Sequence, residues 1–278
     1  MVAFHKGKAT KPSSLKSPQD ILSVHRLLAP YGFSIHVIDS EKMGDDIPLH
    51  VFDSLLRYDE ENGGGLISVL TLPVRRCDFE ERFQGVLEIL RSHESGGLCL
   101  VAGNPAYLSE DEARRLAGRL LIDAVKRAKE VLGDRLIMVG SENMVAPAIE
   151  AARRFRAIPF ALLNGADDYE IRLLSKEAAI PVAVYAPFYI GKTLGGDAET
   201  RLTAYALRRR KLRSDAAPSA NPAGMTSIEL VEQVALVGDK QRVRTRVMRL
   251  ADSGAGVVVG FPASSDEEQL RLFSEAIP

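Results

Sequence analysis

Asp39 closes the apolar run FSIHVID (33–39) and is the one carboxylate at the end of any such run in the chain. A carboxylate there can hold a polar substrate group or relay a proton, or it can serve as a strand-end cap or ion-pair residue. The other apolar runs end in small or uncharged polar residues: Thr71-Leu72, Gly103-Asn104, Gly140-Ser141, Asn164-Gly165 and Gly260-Phe261. Glycine lets a ligand approach the backbone, while asparagine, serine and threonine supply neutral hydrogen bonds. Lys6 is the only lysine so placed, which argues against Schiff-base chemistry. No pairing of histidines and carboxylates at these ends suggests a metal. His36 lies inside a run and reads as a satisfied core or helix-facing residue rather than a base. A set this short of acids, bases and metal ligands points to a bound organic cofactor as the source of chemistry.

A second candidate is VGSENMVAPAIEAARRF (139–155). An apolar run turns through Gly140-Ser141 into a helix, whose first N–H groups can hold a phosphate. Glu142 and Glu150 oppose an anion there by charge, and an ordinary strand–helix turn stays open as the alternative.

These residues need elements to position them. The runs 33–39, 66–72, 98–103, 136–140, 160–165, 182–188 and 256–262 are continuously apolar, the pattern of parallel strands covered on both faces. Helices are expected near 18–30, 48–58, 78–93, 109–132, 142–155, 167–177, in pieces over 196–252, and at 265–276. Ser17-Pro18 marks one start. Ser109 with Glu112, and Ser265 with Glu268, read as capping boxes. Gly133 sits where a C-cap is expected. With VAFH (2–5) as a short first strand, eight strand–helix units result, which is a single-domain TIM (β/α)8 barrel with its site at the strand C-terminal ends. Without that strand, a seven-stranded doubly wound sheet remains. The organisation expected is a basic N-terminal arm with the first strand over 1–17, a barrel over 18–278, and a surface loop near 213–225.

Composition narrows the classes. The chain has 278 residues, 46% of them hydrophobic, with 36 basic and 37 acidic residues. Its net charge of −1 gives no overall attraction to nucleic acid. Two cysteines without a CxxC or Cys/His cluster suit a reducing cytoplasm and argue against a disulfide scaffold. No apolar run is long enough to span a bilayer, and the N-terminus has no apolar signal core. The expected location is cytoplasmic, and a homo-oligomer stays open. The cluster Arg208, Arg209, Arg210, Lys211 and Arg213 reads as a solvated helix end or as an anchor for an acidic ligand tail or partner.

The chain resembles the luciferase-like flavin and deazaflavin oxidoreductases, including the methylenetetrahydromethanopterin reductases. Four segments carry the likeness in order: LLAPYGFSIHVIDS, LISVLTLPVRRCDFEERFQGVLEILRSHESGGLCLVAGNP, IMVGSENMVAPAIEAARRFRAIPFALLNG and VALVGDKQRVRTRVMRLADSGAGVVVGFP. The resemblance implies hydride transfer between FMN or the deazaflavin coenzyme F420 and a small or pterin-like substrate. It implies a role for Asp39 in catalysis. It also implies cofactor contacts at Thr71, Leu72, Gly103, Gly140, Ser141 and Asn143, with the phosphate near the 140–143 turn; the strand-end residues Asn104 and Asn164 are added to that set from their position alone. In several members the segment matching Thr71, Leu72 and Pro73 carries a non-proline cis peptide. The sequence departs from the family pattern at Ser40, Gly97-Leu98, Pro105 and Glu142. Those departures keep a second reading open: a catalytically inactive barrel acting as a binding or assembly component.

Overall fold

The computed structural model describes residues 4–12, 19–41, 46–63, 65–104, 111–165, 168–216 and 226–277. Its strands are β1 (His5–Thr10), β2 (Ile35–Ile38), β3 (Ile67–Pro73), β4 (Gly97–Val101), β5 (Ile137–Gly140), β6 (Ile158–Leu162), β7 (Val182–Ile190), β8 (Leu236–Gly238) and β9 (Ala255–Pro262). Strands β1 to β7 pair in sequence order and in parallel, β7 pairs β9, and β9 pairs β1. The ring therefore closes as an eight-stranded barrel, and β8 extends the outer end of β7 through Phe188 opposite Leu236. Helices surround it: α1 (Gln19–Leu28), α2 (Leu49–Glu61), α3 (Phe79–Ser92), α4 (Asp111–Leu132), α5 (Val145–Phe155), α6 (Tyr169–Ala178), α7 (Gly196–Ala216), α8 (Ser227–Val234), α9 (Lys240–Asp252) and α10 (Glu268–Ala276). This is the expected TIM barrel.

Alternation along each strand divides the core in two. Residues such as Val37, Val69, Cys99, Met138 and Val259 fill the barrel interior. Their neighbours Ile38, Leu70, Leu98, Val139 and Val258 pack outward under the helices, with Phe52, Phe83, Phe188 and Phe273 fully buried in that layer. Each such aromatic contributes about 1.5–3 kcal/mol by leaving water.

Several boundaries differ from expectation. The first strand is His5–Thr10, not 2–5, so most of it lies in the segment taken for an arm. The long seventh unit contains α7, α8, β8 and α9. The surface loop expected near 213–225 begins inside α7, and residues 217–225 lie outside the described residues, as do Ser17-Pro18 and Ser109. Gly133 does cap α4, at φ 60° with its N–H on Lys129 O. Ser265 does not cap the last helix. That helix begins at Glu268, whose N–H donates to Asp266 Oδ1 at 3.0 Å. A fully formed capping box is at Thr226, where Glu229 N–H donates to Thr226 Oγ1 and Thr226 N–H donates to Glu229 Oε2.

Outside β1 to β3, beneath α1 and α2, lies a buried polar chain. One set of proton positions satisfies all its contacts. The Lys8 ammonium donates to Thr10 Oγ1 (2.6 Å), and the Thr10 hydroxyl donates to His36 Nε2 (3.0 Å). His36 Nδ1–H donates to His25 Nδ1 (3.1 Å), and His25 Nε2–H donates to Asp59 Oδ1. Ser68 Oγ donates to the other Asp59 oxygen at 3.3 Å. Burial, then the Lys8 charge, holds His36 well below its usual range, which keeps it neutral. Burial likewise brings Lys8 down to about 8. His36 is thus a satisfied, helix-facing residue.

Candidate functional site

The C-terminal ends of the barrel strands open on one mouth, and α7 carries side chains to it. At the end of β2, Asp39 N–H donates to Thr10 O, and Lys11 Nζ lies 3.7 Å from Asp39 Oδ2. Glu41 follows, its N–H on Asp39 Oδ1 at 3.4 Å. Burial pushes the Glu41 carboxyl up to about 7, reinforced by Asp39 and Glu142 and opposed by a hydrogen bond from Asn104 and by Lys11. Asp39, Glu41, Asn104 and Glu142 therefore share one neighbourhood, although they come from three strand ends.

On β3, Thr71 faces the interior and hydrogen-bonds Cys99, whose thiol is pushed up by burial. Leu72 points the other way and packs in the outer core. No cis peptide occurs among the described residues. At the end of β4, Gly103 is needed because of its neighbour: a Cβ there would stand 1.4 Å from the Glu142 carbonyl oxygen. Asn143 Nδ2 donates to Gly103 O at 2.9 Å. A Cβ on Gly140 would meet Val101 Cγ1 at 2.8 Å. Ser141 is fully buried, with its N–H on Phe160 O and its hydroxyl on Glu170 Oε1 at 2.7 Å. Asn164, beyond β6, has a buried Oδ1 with no partner among the described residues. Pro105 lies outside the described residues.

Two tyrosines that carry no obvious sequence signal, Tyr185 and Tyr205, lie at the mouth together with Arg208 and Arg209 of the basic cluster. Tyr185, one of two tyrosines in β7, is set between Phe160 and Phe261 at centroid distances of 6.2 Å each. Tyr205, Arg208 and Arg209 come from α7. Arg209 is 6% exposed and pairs through Nη1 with Glu142 Oε1. Arg208 lies over the Tyr205 ring at 5.7 Å. Burial pushes the Tyr205 hydroxyl up to about 12, with Arg209, Glu142 and Asp39 all close enough to act on it. Tyr205 Oη and Arg209 Nε are buried without partners among the described residues, and so is Ser40 Oγ at the rim. The members of the basic cluster thus play different parts, and the side chains of Lys211 and Arg213 fall outside the described residues. A separate groove of about 590 Å3 beside α3 and α4, lined by Val74, Phe79, Leu120 and Arg127, has no such convergence of partnerless polar atoms.

A closed (β/α)8 barrel with a polar strand-end mouth is the class that this fold and site define. The chain belongs to the family described as a family of unknown function (DUF7388), whose pattern matches residues 34–270. No curated protein matches it. Among solved structures, it resembles the coenzyme F420-dependent tetrahydromethanopterin reductase of Methanopyrus kandleri (13% identity, 99% of this chain and 98% of that one, TM-score 0.69). It also resembles an F420-dependent secondary alcohol dehydrogenase in complex with an F420-acetone adduct (11% identity, 99% and 98%, TM-score 0.65). A third is the oxygenating constituent of 3,6-diketocamphane monooxygenase of Pseudomonas putida in complex with FMN (13% identity, 98% and 97%, TM-score 0.63). At these identities the likeness is one of fold. Among the described residues no helix is long and apolar enough to cross a membrane.

Proposed function

We propose that this chain is a small-molecule-binding barrel whose ligand lies at the strand-end mouth under α7, with Asp39 and Glu41 holding and passing a proton there. The observation that carries this reading is the convergence of Asp39, Glu41, Asn104, Tyr205 and Arg209, with a buried polar atom on each of Tyr205 and Arg209 that nothing in the described chain satisfies. Buried polar atoms without partners are uncommon in folded proteins, and a bound ligand is one way to satisfy them.

The turn after β5 does not fit a flavin phosphate. The Ser141 hydroxyl is committed to Glu170, the Asn143 amide to Gly103, and the Glu142 carbonyl occupies the space over Gly103. Glu142 and Glu170 also bring carboxylates to the place where an anion would bind. This reading keeps the expectation of a barrel that has departed from its flavin-binding relatives in fold, and adds a ligand of its own.

A second reading has one observation in its favour, the whole-chain likeness of fold to F420- and FMN-bound proteins. It is a deazaflavin- or flavin-dependent oxidoreductase transferring a hydride to or from a small or pterin-like substrate. Titration with FMN, the deazaflavin coenzyme and phosphate-free riboflavin, followed by fluorescence, separates the two. The first reading expects FMN to bind no tighter than riboflavin. FMN or the deazaflavin coenzyme binding at micromolar concentration, with FMN at least about tenfold tighter than riboflavin, overturns it, because a phosphate contact adds that much.

A further inference from the structure

The mouth reading leaves open what chemical group the ligand presents, and α7 supplies an answer that rests on that reading. Tyr205 and Arg209 stand four residues apart on α7, one turn of helix, and so share a face. That face looks onto Glu142 and Asp39. Arg209 uses Nη1 on Glu142, and its Nε is buried without a partner among the described residues. The Tyr205 hydroxyl is buried and partnerless beside it. A guanidinium edge offers two parallel N–H donors, a geometry that matches the two oxygens of a carboxylate. A phenol hydroxyl adds a third donor to the same anion.

We infer that the ligand carries a carboxylate, held by the Nε edge of Arg209 and the Tyr205 hydroxyl, with an apolar or aromatic body lying toward Tyr185 and Phe261. The charges at the mouth suit this. Lys11 faces Asp39, and Arg209 faces Glu142. Arg208 adds a further cation over the Tyr205 ring. Glu41 is the remaining carboxyl, and its burial lets it stay protonated up to neutral pH. Asp39 and Glu142 are thus each offset by a facing cation, and Arg208 is one more. The floor below is aromatic, with the Tyr185 and Phe261 rings stacked at 6.2 Å. Such a floor favours a flat apolar body over a fully hydrated one.

Benzoate and its neutral isostere benzamide are the probes, titrated by calorimetry into the full chain and into Tyr205→Phe and Arg209→Lys. Tyr205→Phe keeps the ring, and Arg209→Lys keeps a cation for Glu142, so both retain the packing that an alanine would lose. Melting curves check that each is folded. Benzoate is expected to bind wild type at least about tenfold more tightly than benzamide, the effect of a charge-assisted bidentate contact. Arg209→Lys should lose about tenfold in benzoate affinity and Tyr205→Phe a smaller multiple, with benzamide unaffected in both. Equal binding of benzoate and benzamide, or unchanged benzoate affinity in both variants, overturns the carboxylate while leaving the mouth as a ligand site. Binding of neither probe at millimolar concentration overturns the carboxylate and removes support from the mouth reading as well.

Discussion

Behind the barrel wall, Lys8, Thr10, His36, His25 and Asp59 form a chain in which each link has a donor and an acceptor. At the mouth, Asn164, Tyr205 and Arg209 each keep a buried atom without a partner among the described residues. Both regions place polar groups in low dielectric, where an unmet hydrogen bond costs about 1–3 kcal/mol. The wall avoids that cost within the fold. The mouth bears it, which is what a site awaiting a ligand does. The two regions meet at Thr10, whose hydroxyl belongs to the wall and whose carbonyl accepts the Asp39 N–H. The wall network therefore also fixes the strand end from which the mouth carboxylate projects.

The largest expected effect breaks the wall. Asp59→Ala strands the His25 Nε2–H and the Ser68 hydroxyl in the core, and removing one partner of a buried charged network costs about 3–5 kcal/mol. Urea unfolding measures it. A loss below about 1 kcal/mol would mean that the wall is no better satisfied than the mouth.

The two regions also differ in how much of them the sequence discloses. The runs of β3, β4, β7 and β9 are apolar on both faces, so hydropathy alone marks them. The strand HKGKAT escapes that rule because its outward residues Lys8 and Thr10 are polar and are buried only through the network beneath α1 and α2. The three residues of β8 are too few to show any period. Asp39 is legible because it ends a run. Glu41 is not, since its burial and its neighbours Asn104 and Glu142 come from other strands. Arg209 sits in a row of cations, and no local pattern says which one turns inward. Gly103 is legible as a close approach, yet the group that approaches it is the Glu142 carbonyl of its own chain.

A smaller effect gives the comparison a sign. Glu41 has a folded pKa of about 7 against an ordinary 4.5, so the folded state binds more protons between those values. Its contribution to stability is full below pH 4.5 and is lost as pH rises through 7. His36 is depressed, so its contribution is present above pH 6.5 and is lost as pH falls below it. Wild type compared with Glu41→Gln should therefore lose relative stability between pH 4.5 and 7, by on the order of 2 kcal/mol. A His36→Gln comparison should slope the other way over the acidic range. Parallel urea titrations at several pH values check both, and a flat Glu41→Gln difference would place that carboxyl in solvent.

The smallest effect is the most discriminating, because it tests a hydroxyl rather than a charge. Tyr205→Phe removes an oxygen that bonds to nothing in the described chain, while the ring stays under Arg208. Losing a partnerless buried hydroxyl relieves part of that desolvation cost and breaks no bond, so the variant should be as stable as wild type or more stable. Thr10→Val is its counterpart at the wall. It is nearly isosteric, but it cuts both the Lys8 and the His36 contact and should cost about 1–3 kcal/mol. The two midpoints measured side by side decide the matter. If Tyr205→Phe costs as much as Thr10→Val, the Tyr205 hydroxyl is held by the fold itself and is not kept for a ligand.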